Sequence, residues 1–316
     1  MIASGDQSVL ISSMGWVDTG SLWVFDVPSG KETRIPLQSG ARYLSLHCCH
    51  PSYFAVVHHF DGSRFAVTIH GFGDPGRTAA RGRFHIDSSS LQGESELWQF
   101  VPRLYVEYLG FPPWNDFALL RVFAEASRID AQRLEWYDDT YDKGYQGVIG
   151  VLELPQRDLA IVAVQRSSRL VVHDLVCGKS RGTIGLAGHG GNPNIFMRCK
   201  ARELWASDYD ALAAVDPDTW KVMRRARLQM ALAGTQQFIG DYAFDQDEQV
   251  CAVARPFSGD VLGVNPLTMN VTSHAEVGGQ PLEVALVGDA QVVARDWKTG
   301  KLLRGQLGSR RWRLFG

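Results

Sequence analysis

Only five of the 316 residues are cysteine (Cys48, Cys49, Cys177, Cys199 and Cys251), an odd number with no Cys-x-x-Cys spacing. This excludes a disulfide scaffold and fits free thiols in a reducing compartment. No apolar run approaches the ~20 residues that a membrane-spanning helix needs. Met1-Ile2-Ala3-Ser4-Gly5-Asp6 has neither the basic region nor the apolar core of an export signal. A cytoplasmic location is therefore expected, with no membrane partner. Neither sign of charge dominates: 32 Lys and Arg stand against 34 Asp and Glu, a formal net charge of −2, so nothing global attracts nucleic acid and none is expected as a partner. The sequence also lacks a Gly-x-Ser-x-Gly elbow, a phosphate-binding Gly-x-x-x-x-Gly-Lys loop and a His-Glu-x-x-His helix, and no cofactor is expected.

What the chain has instead is repetition. Asp26-Val27-Pro28-Ser29-Gly30-Lys31, Asp174-Leu175-Val176-Cys177-Gly178-Lys179 and Asp296-Trp297-Lys298-Thr299-Gly300-Lys301 each follow an apolar run suited to a strand. Worn copies begin at Asp216 and Asn265, where the glycine is lost. The chemistry is that of a tight hairpin, in which Asp or Asn accepts backbone N–H bonds and Gly supplies the positive φ that sends the next strand back.

A second mark, Gly190-Gly191-Asn192-Pro193, recurs as Gly278-Gly279-Gln280-Pro281, and the steps from Gly191 to Gly234 to Gly279 are 43 and 45 residues. A period in the forties with about four short strands per unit is the signature of a β-propeller. A β-sandwich pair or a β-solenoid is the alternative, and sandwiches do not repeat their turn chemistry at this period. The expected fold is all-β: a seven-bladed β-propeller with four-stranded antiparallel blades around a central channel. As one domain over 1–316 it divides into units 1–39, 40–98, 99–146, 147–190, 191–234, 235–278 and 279–316. The short end units predict ring closure near the termini through a shared blade, with Arg311–Phe315 as the latch strand.

Glu203 to Val222, which reads as strand, polar turn, strand and Asp-x-x-Thr-x-Lys hairpin, resembles a YVTN-type repeat. The resemblance is to the superfamily that includes YVTN-repeat, lactonase-like and quinoprotein amine dehydrogenase propellers, and it is strongest over residues 147–307. It implies fold much more than activity, because binding modules, scaffolds, hydrolases and lyases share it. WD40 propellers are a poorer match, since Gly-His followed by Trp-Asp at blade spacing is missing.

In propellers of this type the links between blades overhang the funnel. This predicts a rim of Asn192, Asn194, Gln236, Gln237, Gln280 and Glu283, with His189, Arg42 and Arg103 as candidates for a general base and anion stabilisers. One carboxylate in that rim gives little support to the calcium site of the lactonase-like propellers. Leu46–His50, His58-His59 and His70 crowd five of the nine histidines into 24 residues of one unit, so His50, His58 and His70 form a candidate metal set, with packed histidines as the alternative.

Residues 98–146 break the repeat and are rich in rings, among them Trp136, Tyr137 and Tyr141 beside acidic residues. They predict an aromatic surface for ligand or partner, or else a divergent blade with an enlarged core. Phe117 to Leu134 is read as strand plus loop. The expected function is a non-catalytic binding or scaffold module that recognises a polypeptide or small polar ligand at the funnel face. The alternative is a lyase or hydrolase with its active site in the funnel.

Overall fold

The computed structural model describes residues 2–3, 9–12, 20–41, 43–50, 52–60, 64–86, 91–95, 103–109, 117–123, 128–133, 148–164, 167–186, 194–198, 200–228, 238–288 and 290–309. These form seven antiparallel sheets in chain order, each pairing sequence neighbours. Sheet 1 holds β1 (Ile2–Ala3), β2 (Val9–Ser12), β3 (Ser21–Asp26) and β4 (Glu32–Pro36). Sheet 2 holds β5 (Tyr43–His50), β6 (Tyr53–His59), β7 (Arg64–Gly71), β8 (Asp74–Ile86) and β9 (Leu91–Ser95). Sheet 3 holds β10 (Arg103–Leu109), β11 (Phe117–Phe123) and β12 (Arg128–Arg133). Sheet 4 holds β13 (Val148–Leu154), β14 (Leu159–Val164), β15 (Arg169–Asp174) and β16 (Ser180–Gly185). Sheet 5 holds β17 (Ile195–Arg198), β18 (Glu203–Asp208), β19 (Ala211–Val215) and β20 (Val222–Arg227). Sheet 6 holds β21 (Tyr242–Phe244), β22 (Cys251–Arg255), β23 (Asp260–Val264) and β24 (Val271–Glu276). Sheet 7 holds β25 (Pro281–Val287), β26 (Gln291–Asp296) and β27 (Leu302–Gln306), after which β28 (Gly308–Ser309) crosses back to pair with β24.

The middle strands are buried on both faces, as their unbroken apolar sequences require: every residue of β18, β19, β22 and β23 is buried. They pack sheet against sheet. Val24 and Ile35 meet Phe54 and Val56 between sheets 1 and 2. Ile161 and Val172 meet Leu204 and Val215 between sheets 4 and 5, and Trp205 and Leu212 meet Phe244 and Val253 between sheets 5 and 6. Ala252 and Val261 meet Val284 and Val292 between sheets 6 and 7. Leu10 and Phe25 of sheet 1 join Ala285 and Val293 of sheet 7, which closes the ring. Sheet 1 takes all its strands from residues 2–36, so among the described residues the first and last sheets meet through side chains and share no strand. The expected latch, Arg311–Phe315, lies outside the described residues.

In such a meander the first-to-second and third-to-fourth hairpins open on one face of the ring. The second-to-third hairpins and the links between sheets open on the other. We term these the lower and upper faces. The repeated turn behaves as its chemistry demands. Asp174 Oδ1 accepts from the N–H groups of Val176 at 2.8 Å and Cys177 at 3.0 Å, and Gly178 N donates to Asp174 O at 3.0 Å. The Cys177 N–H bond foremost, with help from Val176 and Arg181, holds the Asp174 carboxyl far below the usual carboxylate range. Gly30, Gly178 and Gly300 have φ of 69°, 71° and 64°, and the worn copies keep the same backbone without glycine, Trp220 at 59° and Met269 at 58°. Four of the five copies join the third and fourth strands of their sheets on the lower face. The fifth, Asp296–Lys301, joins β26 to β27, the second and third strands of sheet 7, and so lies on the upper face.

Candidate functional site

Two of the expected rim residues act as structural ties. Asn194 stands just before β17, where its N–H donates to Ser207 Oγ at 2.9 Å and its Nδ2 reaches Asp241 Oδ1 at 3.3 Å. Asp241 Oδ2 in turn accepts from Val284 N at 3.2 Å, so one carboxylate links the entries to β17 and β21 with the middle of β25. The buried Tyr242 hydroxyl donates to Asn194 O at 3.1 Å and Trp205 O at 2.9 Å, and burial pushes its pKa up, which keeps it a neutral donor. Glu283 accepts from Ser12 Oγ at 2.5 Å across the closing seam. A Cβ on Gly240 would stand 2.5 Å from Leu282 O, which shows how closely the two backbones approach here.

Gln280 lies in the link between sheets 6 and 7, where its carbonyl accepts from Trp297 N at 2.8 Å and the residue lines a cleft of about 450 Å³. Arg103 opens β10 opposite Phe123. Arg42, His189, Asn192, Gln236, Gln237, Trp136, Tyr137 and Tyr141 lie outside the described residues.

Of the candidate metal set, His58 and His70 do come together, but on a hydroxyl. Both Nε2 atoms approach Thr68 Oγ1, at 3.2 Å and 3.0 Å, while His70 Nδ1 meets Pro75 O at 3.0 Å. Burial, and then the neighbouring His70, push His58 down to about 4; burial also lowers His70. His50 ends β5, and its side chain lies outside the described residues. Among the described residues no group of three His, Cys, Asp or Glu side chains is placed to hold a metal ion.

The feature that the sequence reading missed is a run of aromatic rings on the upper face. Tyr209 in the β18–β19 hairpin lies 6.3 Å from Phe238 in the link to sheet 6. Phe238 makes edge contacts with Phe257 in the β22–β23 hairpin at 5.1 Å and with Trp297 in the β26–β27 hairpin at 5.8 Å. The Trp297 and Phe257 side chains are 47% and 49% exposed, unusual for rings of this size. Three sheets contribute to one patch because upper hairpins of neighbouring sheets converge there. The available signal was an aromatic inside a polar turn, as in Asp208-Tyr209-Asp210, Pro256-Phe257-Ser258-Gly259 and Asp296-Trp297-Lys298.

No protein-family model and no curated protein matches the sequence. Solved structures do. The β-propeller domain of Cps50 (Swd1) from Myceliophteria thermophila is similar with a TM-score of 0.64 at 13% identity, over 97% of this chain and 95% of that one. The fold is a β-propeller. A chain in the crystal structure of the Mitotic Checkpoint Complex is similar with a TM-score of 0.63 at 10% identity, over 98% of this chain and 86% of that one. Identities this low carry the propeller architecture and no shared activity.

Proposed function

We propose that this propeller is a non-catalytic interaction module that recognises a polypeptide on its upper face. The observation that carries the reading is the Tyr209, Phe238, Phe257 and Trp297 cluster, held by rigid hairpins with two large rings half-exposed. Rigid aromatics anchor protein interfaces because they offer much contact area at little conformational cost. A similar chain solved within a complex supports the same role. The repeat chemistry further supports a seven-bladed relative of the YVTN-type propellers; the cysteine usage supports work in the cytoplasm, and the rings of 136–145 support a second contact region.

The test is a double substitution, Phe257→Ala with Trp297→Ala, in the full chain. Partners captured from a native lysate are quantified by mass spectrometry beside the melting curve of the same variant. Loss of specific partners from a folded variant is expected. A folded variant that keeps every partner overturns the reading.

A further inference from the structure

The cleft that Gln280 lines lies directly beside the aromatic patch and shares Phe257 with it. At about 450 Å³ it lies within the ~300–1,000 Å³ usual for ligand clefts. Among its lining residues the charged side chains are Asp260 and Glu276, with His274 and no lysine or arginine. Asp260 is spoken for: Arg255 Nε donates to its Oδ1 at 2.8 Å, Arg255 Nη2 and His274 Nε2 meet its Oδ2, and both Arg255 and Asp260 are buried. Glu276 is different. It is the register partner of Asp260 on β24, so its side chain leaves the same side of the sheet, yet it is exposed and makes no side-chain hydrogen bond or ion pair among the described residues. Beyond it, Gly278 keeps the wall low, since a Cβ there would meet nothing within 4 Å, while Gly279 packs against the Asp296 carboxylate.

One open carboxylate next to half-exposed rings is a constellation that attracts a single positive charge, through the carboxylate and through the ring faces together. We infer that this cleft takes the cationic side chain of a lysine or arginine in a polypeptide docked on the aromatic face. The inference rests on the docking reading above and adds the chemistry of the docked residue. Apolar neighbours of that residue lie on Phe257 and Trp297 while its charged end meets Glu276.

Four capped pentapeptides, Gly-Leu-X-Leu-Gly with X as Lys, Arg, norleucine or Glu, test it by calorimetric titration into the full chain. The Lys and Arg peptides are expected to bind about tenfold more tightly than the norleucine peptide, a difference of about 1.4 kcal/mol, with the Glu peptide weakest. Glu276→Gln, at an exposed position, is expected to remove that preference without changing the melting temperature or the norleucine affinity. Equal binding of Lys and norleucine peptides, a preference that survives Glu276→Gln, or no binding of the Lys and Arg peptides overturns the cation site. These outcomes are separate from the fate of the docking reading, which falls only if the folded Phe257→Ala, Trp297→Ala variant keeps every lysate partner.

Discussion

The guanidinium carbon of Arg295 lies 3.4 Å from the centre of the Trp23 ring, which puts a buried cation from sheet 7 over an aromatic from sheet 1 at the ring's closing seam. Phe25 lies 5.1 Å away, and among the described residues the Arg295 Nε and Nη2 atoms have no hydrogen-bond partner. Burial lowers the Arg295 pKa to about 10, against the pull of Glu283. Desolvated cation–π contacts are worth about 2 kcal/mol each, so those with Trp23 and Phe25 are set against two buried unpaired donors at about 1–3 kcal/mol each. The two nearly cancel.

Replacing Arg295 with Met, which keeps the packing volume and removes the charge, should therefore change stability by less than about 1 kcal/mol. Trp23→Ala removes the surface that both Arg295 and Gly300 pack on and should cost roughly 3 kcal/mol. Chemical denaturation of the two variants checks this. A large loss in Arg295→Met would mean that the charge itself holds the seam.

The hairpin turns give a pair of opposite effects. Gly178→Val places a β-branched residue at a φ of 71° and should destabilise by about 1–2 kcal/mol. Arg202 is exposed with a φ of 53°, so Arg202→Gly should stabilise by roughly 0.5–1 kcal/mol by relieving the same strain. Melting temperatures that move in the same direction for both would contradict the assignment.

Gly240 is the point where the chain entering sheet 6 touches the chain entering sheet 7. Gly240→Ala should cost roughly 1–3 kcal/mol, because the obstacle is Leu282 backbone and no side chain can swing aside. Wild-type stability in that variant would show that the two links can separate freely.

The histidine pair sets a pH dependence. The pKa values of His58 and His70 are lowered on folding, so the unfolded chain binds more protons below 6.5 and stability falls as pH drops from 6.5 toward about 4. For His58 the full effect is on the order of 3 kcal/mol. A His58→Gln, His70→Gln variant should show a flatter stability profile between pH 7.5 and 5 than the wild-type chain. Equal slopes would assign the acid sensitivity to other groups.

The turn residues made the fold legible, because Asp174, Gly178 and their repeats act locally: a backbone N–H and a carboxylate two residues away need no tertiary context. The glycine-free copies were legible for the same reason, with Asp216 and Asn265 keeping the hydrogen bonds while Trp220 and Met269 bear the strained φ. What local chemistry cannot show is the face on which a hairpin opens. Asp296–Lys301 reads like its siblings yet opens on the opposite face, because sheet 7 reaches that turn one strand earlier. The aromatic patch was hidden for a related reason. Tyr209, Phe238, Phe257 and Trp297 are spread over 88 positions of sequence and meet only when three sheets stand side by side. Asn194 and Glu283 were expected as polar rim residues, but their use as ties between strands depends on Asp241 and Ser12, which no periodicity marks.

The segregation of hairpins by face gives the molecule two different mutational economies. Four of the lower turns keep one sentence that opens on Asp or Asn, and drift there disturbs the return of a strand. The upper hairpins that carry Tyr209 and Phe257 lack that Asp-to-Lys sentence, so their side chains are not set by its hydrogen bonds. Trp297 is the telling exception, an aromatic set inside a copy of the lower sentence on the upper face. Selection for a new partner would therefore act first on Tyr209, Phe257 and their neighbours, leaving the scaffold that presents them unchanged.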